Sequence, residues 1–198
     1  LSTRSVMIDV IIGLAPAMAA AGYYFRIHAV ILLATCVISC VTTEWLCNQI
    51  RKKPNSLDDF SAVVTGIILA LSLPPKLPIW TAVVGSVFAV AIGKMVFGGL
   101  GANIFNPAMV GRTFLSASFG LLMTTWTVPA TINPSMPAVA QDNTLNARTQ
   151  ATPLAWSKLA IKNRLGADMY SEEQFTPALM GEVGGSLGET SAIAILIG

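Results

Sequence analysis

The chain has 198 residues, of which 54% are hydrophobic and only 11% charged, with a formal net charge of +2. A soluble domain carries roughly a quarter charged residues, so this composition describes an integral membrane protein. The small charge, without a basic run or aromatic platform, gives nucleic acid no footing, and a single histidine, His28, excludes a histidine cage for a metal within the chain.

Residues 6–25 read as a first span, with Asp9 near its start, Pro16 as an expected kink, and Tyr23, Tyr24 and Phe25 as an interfacial aromatic cluster. No small-residue cleavage site precedes that cluster, so this is not a cleaved signal peptide. Residues 27–50 form a second span. Cys36, Cys40 and Cys47 lie within it and read as small buried apolar residues, not as a disulfide framework. Glu44 sits in its last two turns and either snorkels to the surface or faces the bundle. Arg51, Lys52 and Lys53 follow as the basic cluster of the chain.

Asp58 and Asp59 precede a third apolar stretch, residues 60–73, which is short for a crossing and suits a helix buried by protein. Pro74 and Pro75 stop it. Residues 77–93 make a fourth span, closed by Lys94. The stretch FGGLGANIFNPAMVGR (97–112) cannot continue a membrane helix. Gly98, Gly99 and Gly101 open backbone angles closed to other residues. Asn103 and Asn106 bring amides to membrane depth, and Pro107 suits the first turn of a new helix. The expectation is a helix ending near Val96, a glycine-rich break, and a fifth span over about residues 107–125. Such a break is tolerated in a bilayer only where protein or a polar cavity surrounds it, and it often marks the working centre of a transport protein. The alternative is a loop at the membrane surface.

Residues 127–182 are polar, with scattered charges and one modest helix candidate at 153–163; apolar character resumes at Gly188. The expected organisation is all-α: a polytopic transmembrane bundle of about five spans over 1–126, an extracytoplasmic loop over 127–187, and the start of another transmembrane helix over 188–198. The chain opens on Leu1 and closes inside the apolar run SAIAILIG, so a fragment of a longer protein is expected. Positive residues in short loops stay cytoplasmic. That rule puts residues 51–53, Arg4 and Lys94 inside, and the Pro74–Lys76 turn and the long polar segment outside. DFSAV at 59–63 and ETSAI at 189–193 share one pattern: acid, any residue, Ser, Ala, apolar. If this is a repeat, the chain is the first half of an inverted-repeat protein. Asp58, Asp59 and Glu189 would then start equivalent helices, either as caps or as an ion path.

NARTQATPL (146–154), in the long loop, places two hydroxyls, Thr149 and Thr152, three residues apart with Ala151 between and Pro153 after. On its own this is an ordinary polar turn opening a helix.

Four stretches together carry a resemblance: SAVVTGIILALSLPP (61–75), the broken passage with its FNPA (98–112), TQATPL (149–154) and GETSAIAILIG (188–198). Along nearly the whole chain the sequence resembles the D-subunit family of the Rnf complex, an ion-translocating ferredoxin:NAD oxidoreductase, homologous to the B subunit of the sodium-pumping NADH:quinone reductase. The resemblance implies FMN joined by a phosphoester to Thr152, within a recognition motif that includes Thr149 and Ala151. A flavin transferase would install it from FAD outside the cytoplasm. That motif carries an aspartate three residues before its first hydroxyl, where this chain has Asn146. The resemblance further implies a second, non-covalent riboflavin, partner subunits of the same complex, Na+ or H+ as the transported ion, and residence in the bacterial cytoplasmic (inner) membrane. The chain has no phosphate-binding glycine motif between strand and helix, so NAD itself is not expected on it. The rival readings are a permease or channel with no redox role, whose path the broken helix lines, and a purely structural membrane scaffold.

Overall fold

The computed structural model describes residues 2–52, 57–126, 179, 184–189 and 191–198. The regular elements among the described residues are helical: α1 (Thr3–Phe25), α2 (Ile27–Ile50), a 3-10 turn (Leu57–Asp59), α3 (Ser61–Leu71), α4 (Ile79–Val90), a π-helical turn (Ala91–Met95), α5 (Pro107–Ser118), α6 (Gly120–Met123) and α7 (Ala192–Ile197). The all-helical membrane architecture expected from composition is therefore present.

Among the described residues, α1 and α2 are the two helices long and apolar enough to cross a membrane, at 23 and 24 residues. α2 has the bounds expected from its apolar run, whereas α1 ends with its run at Phe25 but begins at Thr3, three residues before the run. Ser2 caps α1 by accepting from Ser5 N. Arg26, in a positive-φ conformation (φ 52), is the single residue that separates the two helices. Both present many exposed large apolar side chains, as a lipid-facing surface requires.

α3 sits at the centre. Its 11 residues extend only about 17 Å, roughly half the hydrocarbon core. Nine of them are buried, because α1, α2, α4 and α5 all pack on it. This is the short protein-buried helix foreseen for the third stretch. Its contact with α2 depends on Gly66, where an added Cβ would lie 2.7 Å from Val37 Cα and 3.1 Å from the Cys36 carbonyl oxygen. Backbone cannot yield there as a side-chain tip could. Gly66→Ala is expected to destabilise the bundle by about 1–3 kcal/mol, read as a lower unfolding midpoint in detergent. Gly22→Ala, at a helix position open to space, should match or exceed the parent stability.

α4 and α5 are antiparallel neighbours held at close range by small residues. Gly85 and Ala89 on α4 and Gly93 in the π turn recur at every fourth position. Added side chains would meet Leu115 at Gly85 (2.4 Å) and Pro107 Cα at Gly93 (2.9 Å). Opposite them, Gly111 lies against Ala89 and the Gly85 carbonyl (2.7 Å from an added Cβ). Membrane helices use such stripes because apolar side chains gain nothing by leaving lipid, whereas close backbone packing does. Phe88 stacks on Phe114 with ring centroids 3.8 Å apart.

The fifth span departs from expectation. It is helical only over Pro107–Ser118. Phe119 leaves the helical region (φ −130, ψ 44) and a further turn, α6, comes after it. Phe119 instead stands edge-on to Trp80 at 5.3 Å, so its ring is committed to α4. Near the chain's end, residues 184–189 return to the far end of α3, where Leu187 N donates to Leu73 O (3.1 Å) and Gly188 N to Leu71 O (2.7 Å). α7 then runs against α1, with Ser191 accepting from Ala194 N (3.3 Å) as its cap. The loop assigned to 127–187 lies largely outside the described residues, as do Lys53 and the helix candidate at 153–163.

Candidate functional site

The break between α4 and α5 is built as its residues dictate. Within the π turn, Val96 N reaches back five residues to Ala91 O (3.0 Å). Gly98, Gly99 and Gly101 all take positive φ, at 124°, 108° and 87°, where a Cβ would be strained. Gly98 N and Gly99 N close on Met95 O (3.2 Å) and Lys94 O (3.1 Å). Asn106 caps α5 by accepting from Ala108 N (3.0 Å), and Pro107 occupies the first helical position. Asn103 Oδ1 is enclosed and lacks a hydrogen-bond partner among the described residues. Val96, Ile104 and Phe105 on the same passage are more than 60% exposed, so the described residues leave its outer side uncovered.

The π turn has a second consequence. An extra residue in a turn rotates the succeeding residues by about 100°, and Lys94 lies inside that turn. It is 1% exposed, not at the membrane surface as its position at the end of a span suggested. Its ammonium donates to both oxygens of Glu44, at 2.8 and 2.7 Å. Glu44 is 0% exposed, which settles that it faces the bundle. The third ammonium proton goes to Ser61 Oγ. Ser61 in turn donates its hydroxyl to Asp59 Oδ1, and the same oxygen accepts Ser61 N at 2.8 Å. Four side chains from three segments thus form one hydrogen-bonded chain, Glu44–Lys94–Ser61–Asp59.

Local structure holds each member. Thr65 Oγ1 donates to Ser61 O (2.8 Å), fixing the first turn of α3. Phe60 takes a left-handed conformation (φ 58, ψ 8), which turns the Asp59 carboxylate back onto Ser61. Left-handed backbone is costly for a bulky residue and persists where its surroundings over-determine it; here Arg4 lies over the Phe60 ring, 5.1 Å from its centroid. Arg51 Nη1 donates to Met95 O (2.6 Å), tying the end of α2 to the π turn. Isolated ions of this burial are far too costly to keep, so the pair is stable only because every ammonium proton has an acceptor.

The sequence-derived acids divide. Asp59 belongs to the buried chain. Asp58, its neighbour on the 3-10 turn, is exposed. Glu189 lies at the opposite end of α3, where its Oε2 accepts from Ser186 N (3.4 Å). It lines a cleft of about 410 Å³ shared with Arg112, Leu71 and α1 residues. The three acids therefore do not form one site. Thr149, Ala151 and Thr152 lie outside the described residues. Sequence reading missed Lys94 as the partner of Glu44. The signal that could have found it was two opposite charges, each set inside an apolar segment.

A model of the "NQR2, RnfD, RnfE family" matches residues 1–198, and the chain belongs to that family. It is 44% identical over its full length to the D subunit of the Na(+)-translocating ferredoxin:NAD(+) oxidoreductase complex of Acetobacterium woodii, covering 56% of that protein. It is 36% identical, again over its full length and 56% of the relative, to the D subunit of the proton-translocating ferredoxin:NAD(+) oxidoreductase complex of Clostridium ljungdahlii. The D subunit of the ion-translocating oxidoreductase complex of Actinobacillus succinogenes is 33% identical over 92% of this chain and 58% of its own length. The chain thus spans little more than half the length of these curated relatives.

Proposed function

We propose that this member of the NQR2, RnfD, RnfE family is part of a membrane flavoprotein subunit in an ion-translocating electron-transport complex, carrying FMN as a phosphoester on Thr152. The complex would couple ferredoxin and NAD redox chemistry to movement of Na+ or H+. The observation that carries this reading is similarity over the whole chain to proteins named as the D subunits of such complexes. TQATPL supplies the acceptor hydroxyl: Thr152 is flanked by small Ala151 and by Pro153, which favours an extended backbone at Thr152 that a transferase could engage. When bound, the flavin supplies one-electron chemistry that side chains rarely perform. Asn103, whose enclosed carbonyl oxygen lacks a hydrogen-bond partner among the described residues, is the described residue best suited to meet a polar edge of a second, non-covalent riboflavin.

The chain's own residues would serve the ion side of the coupling. The Acetobacterium and Clostridium relatives are named for different ions, and oxygen ligands with an adjacent titratable network suit either. The permease reading draws on the broken helix alone. The visible spectrum of the purified full-length protein separates the two: a flavin spectrum that survives denaturation and washing is expected here, and a colourless protein is what a permease gives.

Topology gives a further check. With single cysteines introduced as Lys53→Cys and Thr152→Cys, a membrane-impermeant thiol reagent added to intact cells is expected to label position 152 and spare position 53. Labelling of both from one side would reverse the span count, most directly at the half-length α3.

A further inference from the structure

We propose that the Glu44 carboxylate and the Ser61 hydroxyl form a site for a monovalent cation whose built-in occupant is the Lys94 ammonium, and that Lys94 vacates it by passing one proton through Ser61 to Asp59. This rests on reading the protein as part of an ion-translocating subunit, and names how one of its ion sites is closed.

Three oxygens, two from Glu44 and one from Ser61, surround the ammonium at hydrogen-bonding range. An all-oxygen set with one net negative charge is the chemistry that binds hard monovalent cations. An ammonium is a compact point charge on a flexible stem, so it can fill such a site and also leave it. The Lys94 stem springs from the π turn that follows α4, and three positive-φ glycines come after that turn.

The exit route for the proton is already hydrogen-bonded. Ser61 Oγ accepts from Lys94 and donates to Asp59 Oδ1. Breaking one Lys94 N–H bond forms an O–H bond at Ser61 while the original Ser61 O–H bond passes its proton to Asp59. Lys94 and Asp59 end neutral, Ser61 ends unchanged, and no electrons move. Glu44 then carries a negative charge without the Lys94 ammonium, and an entering cation neutralises it. Asp59 is half-buried beside the exposed Asp58, so the proton is delivered toward the surface. Among the described residues, ionisable groups facing this network include Cys40 and Cys47 from α2, Arg51 at the α2 terminus, bonded to Met95 O, and Arg4 of α1 over Phe60. Lys94 is the cation bonded to both Glu44 oxygens.

The test uses the intact complex in detergent and in proteoliposomes. Lys94→Ala removes the tethered ammonium and leaves Glu44. Its unfolding midpoint is expected to rise saturably with sodium or lithium chloride and not with choline chloride at equal ionic strength. The response should vanish in Lys94→Ala/Glu44→Gln. Equal stabilisation by choline, or persistence of the sodium response in the double variant, overturns the proposal. Ser61→Ala keeps the Glu44–Lys94 pair and cuts the route to Asp59, so it reports even if Lys94→Ala does not accumulate. The number of ions moved per electron should then fall well below the parental ratio while electron transfer continues; a parental ratio overturns the proposal. Covalent flavin fluorescence of the same samples is read separately. Its absence from the parent complex would count against the Thr152 assignment, whereas the cation response decides the Lys94 proposal on its own.

Discussion

Thr152→Ala is expected to abolish covalent flavin fluorescence of the polypeptide in a denaturing gel while the protein still inserts in the membrane. The phosphoester needs a hydroxyl at that position, and alanine removes the only atom that could carry it. Electron transfer through the complex should fall with it, since a relay that lacks one carrier must bridge a longer gap. Thr149→Ala should have a smaller effect, because Thr149 is assigned to recognition of the segment and not to the bond. Fluorescence that persists in Thr152→Ala would move the attachment elsewhere and undo the assignment.

The second large effect is expected at the buried pair. Lys94→Met keeps the length and apolar stem of the side chain but leaves the Glu44 carboxylate, 0% exposed, without its ammonium. Removing one partner of a buried ion pair costs about 3–5 kcal/mol, a large share of the ~5–15 kcal/mol that holds an average domain together. The variant should therefore accumulate poorly and unfold at markedly lower temperature. Lys94→Met/Glu44→Leu removes both charges and should recover much of that loss, since well-packed apolar replacements of buried ion pairs are often neutral or better. The double variant should still be defective in ion movement, which separates folding from transport. A double variant as unstable as the single one would mean that Lys94 acts through packing and not through its charge.

What was legible in the sequence was local. The first two spans follow from uninterrupted apolar runs, and the structure bounds them at Phe25 and Ile50 as those runs do. The break after Val96 was visible because three glycines and the Asn106–Pro107 pair each demand a particular backbone, and each obtains it. The shortness of α3 was visible because Asp59 and Pro74 bracket it. What was not legible depends on residues far apart in the chain. Glu44 and Lys94 are 50 positions apart, and neither flanking sequence reveals the other. A lysine closing a span reads as a surface anchor unless the π turn that redirects it is known, and five residues of AIGKM carry no sign of a π turn. The same holds at Phe119, whose ring is drawn to Trp80, 39 positions earlier by residue number. The paired acids at 58 and 59 look equivalent in sequence. Only the left-handed Phe60 turns one of them onto Ser61 and leaves the other in solvent.

The most direct test of the flavin-carrying role is mass spectrometry of the peptide that contains Thr152, released from the complex purified from its native membrane. The expected result is a peptide heavier by FMN less one water, with fragment ions that place the added mass on Thr152. An unmodified peptide, recovered from a complex with full ferredoxin:NAD electron transfer coupled to ion movement, would contradict it.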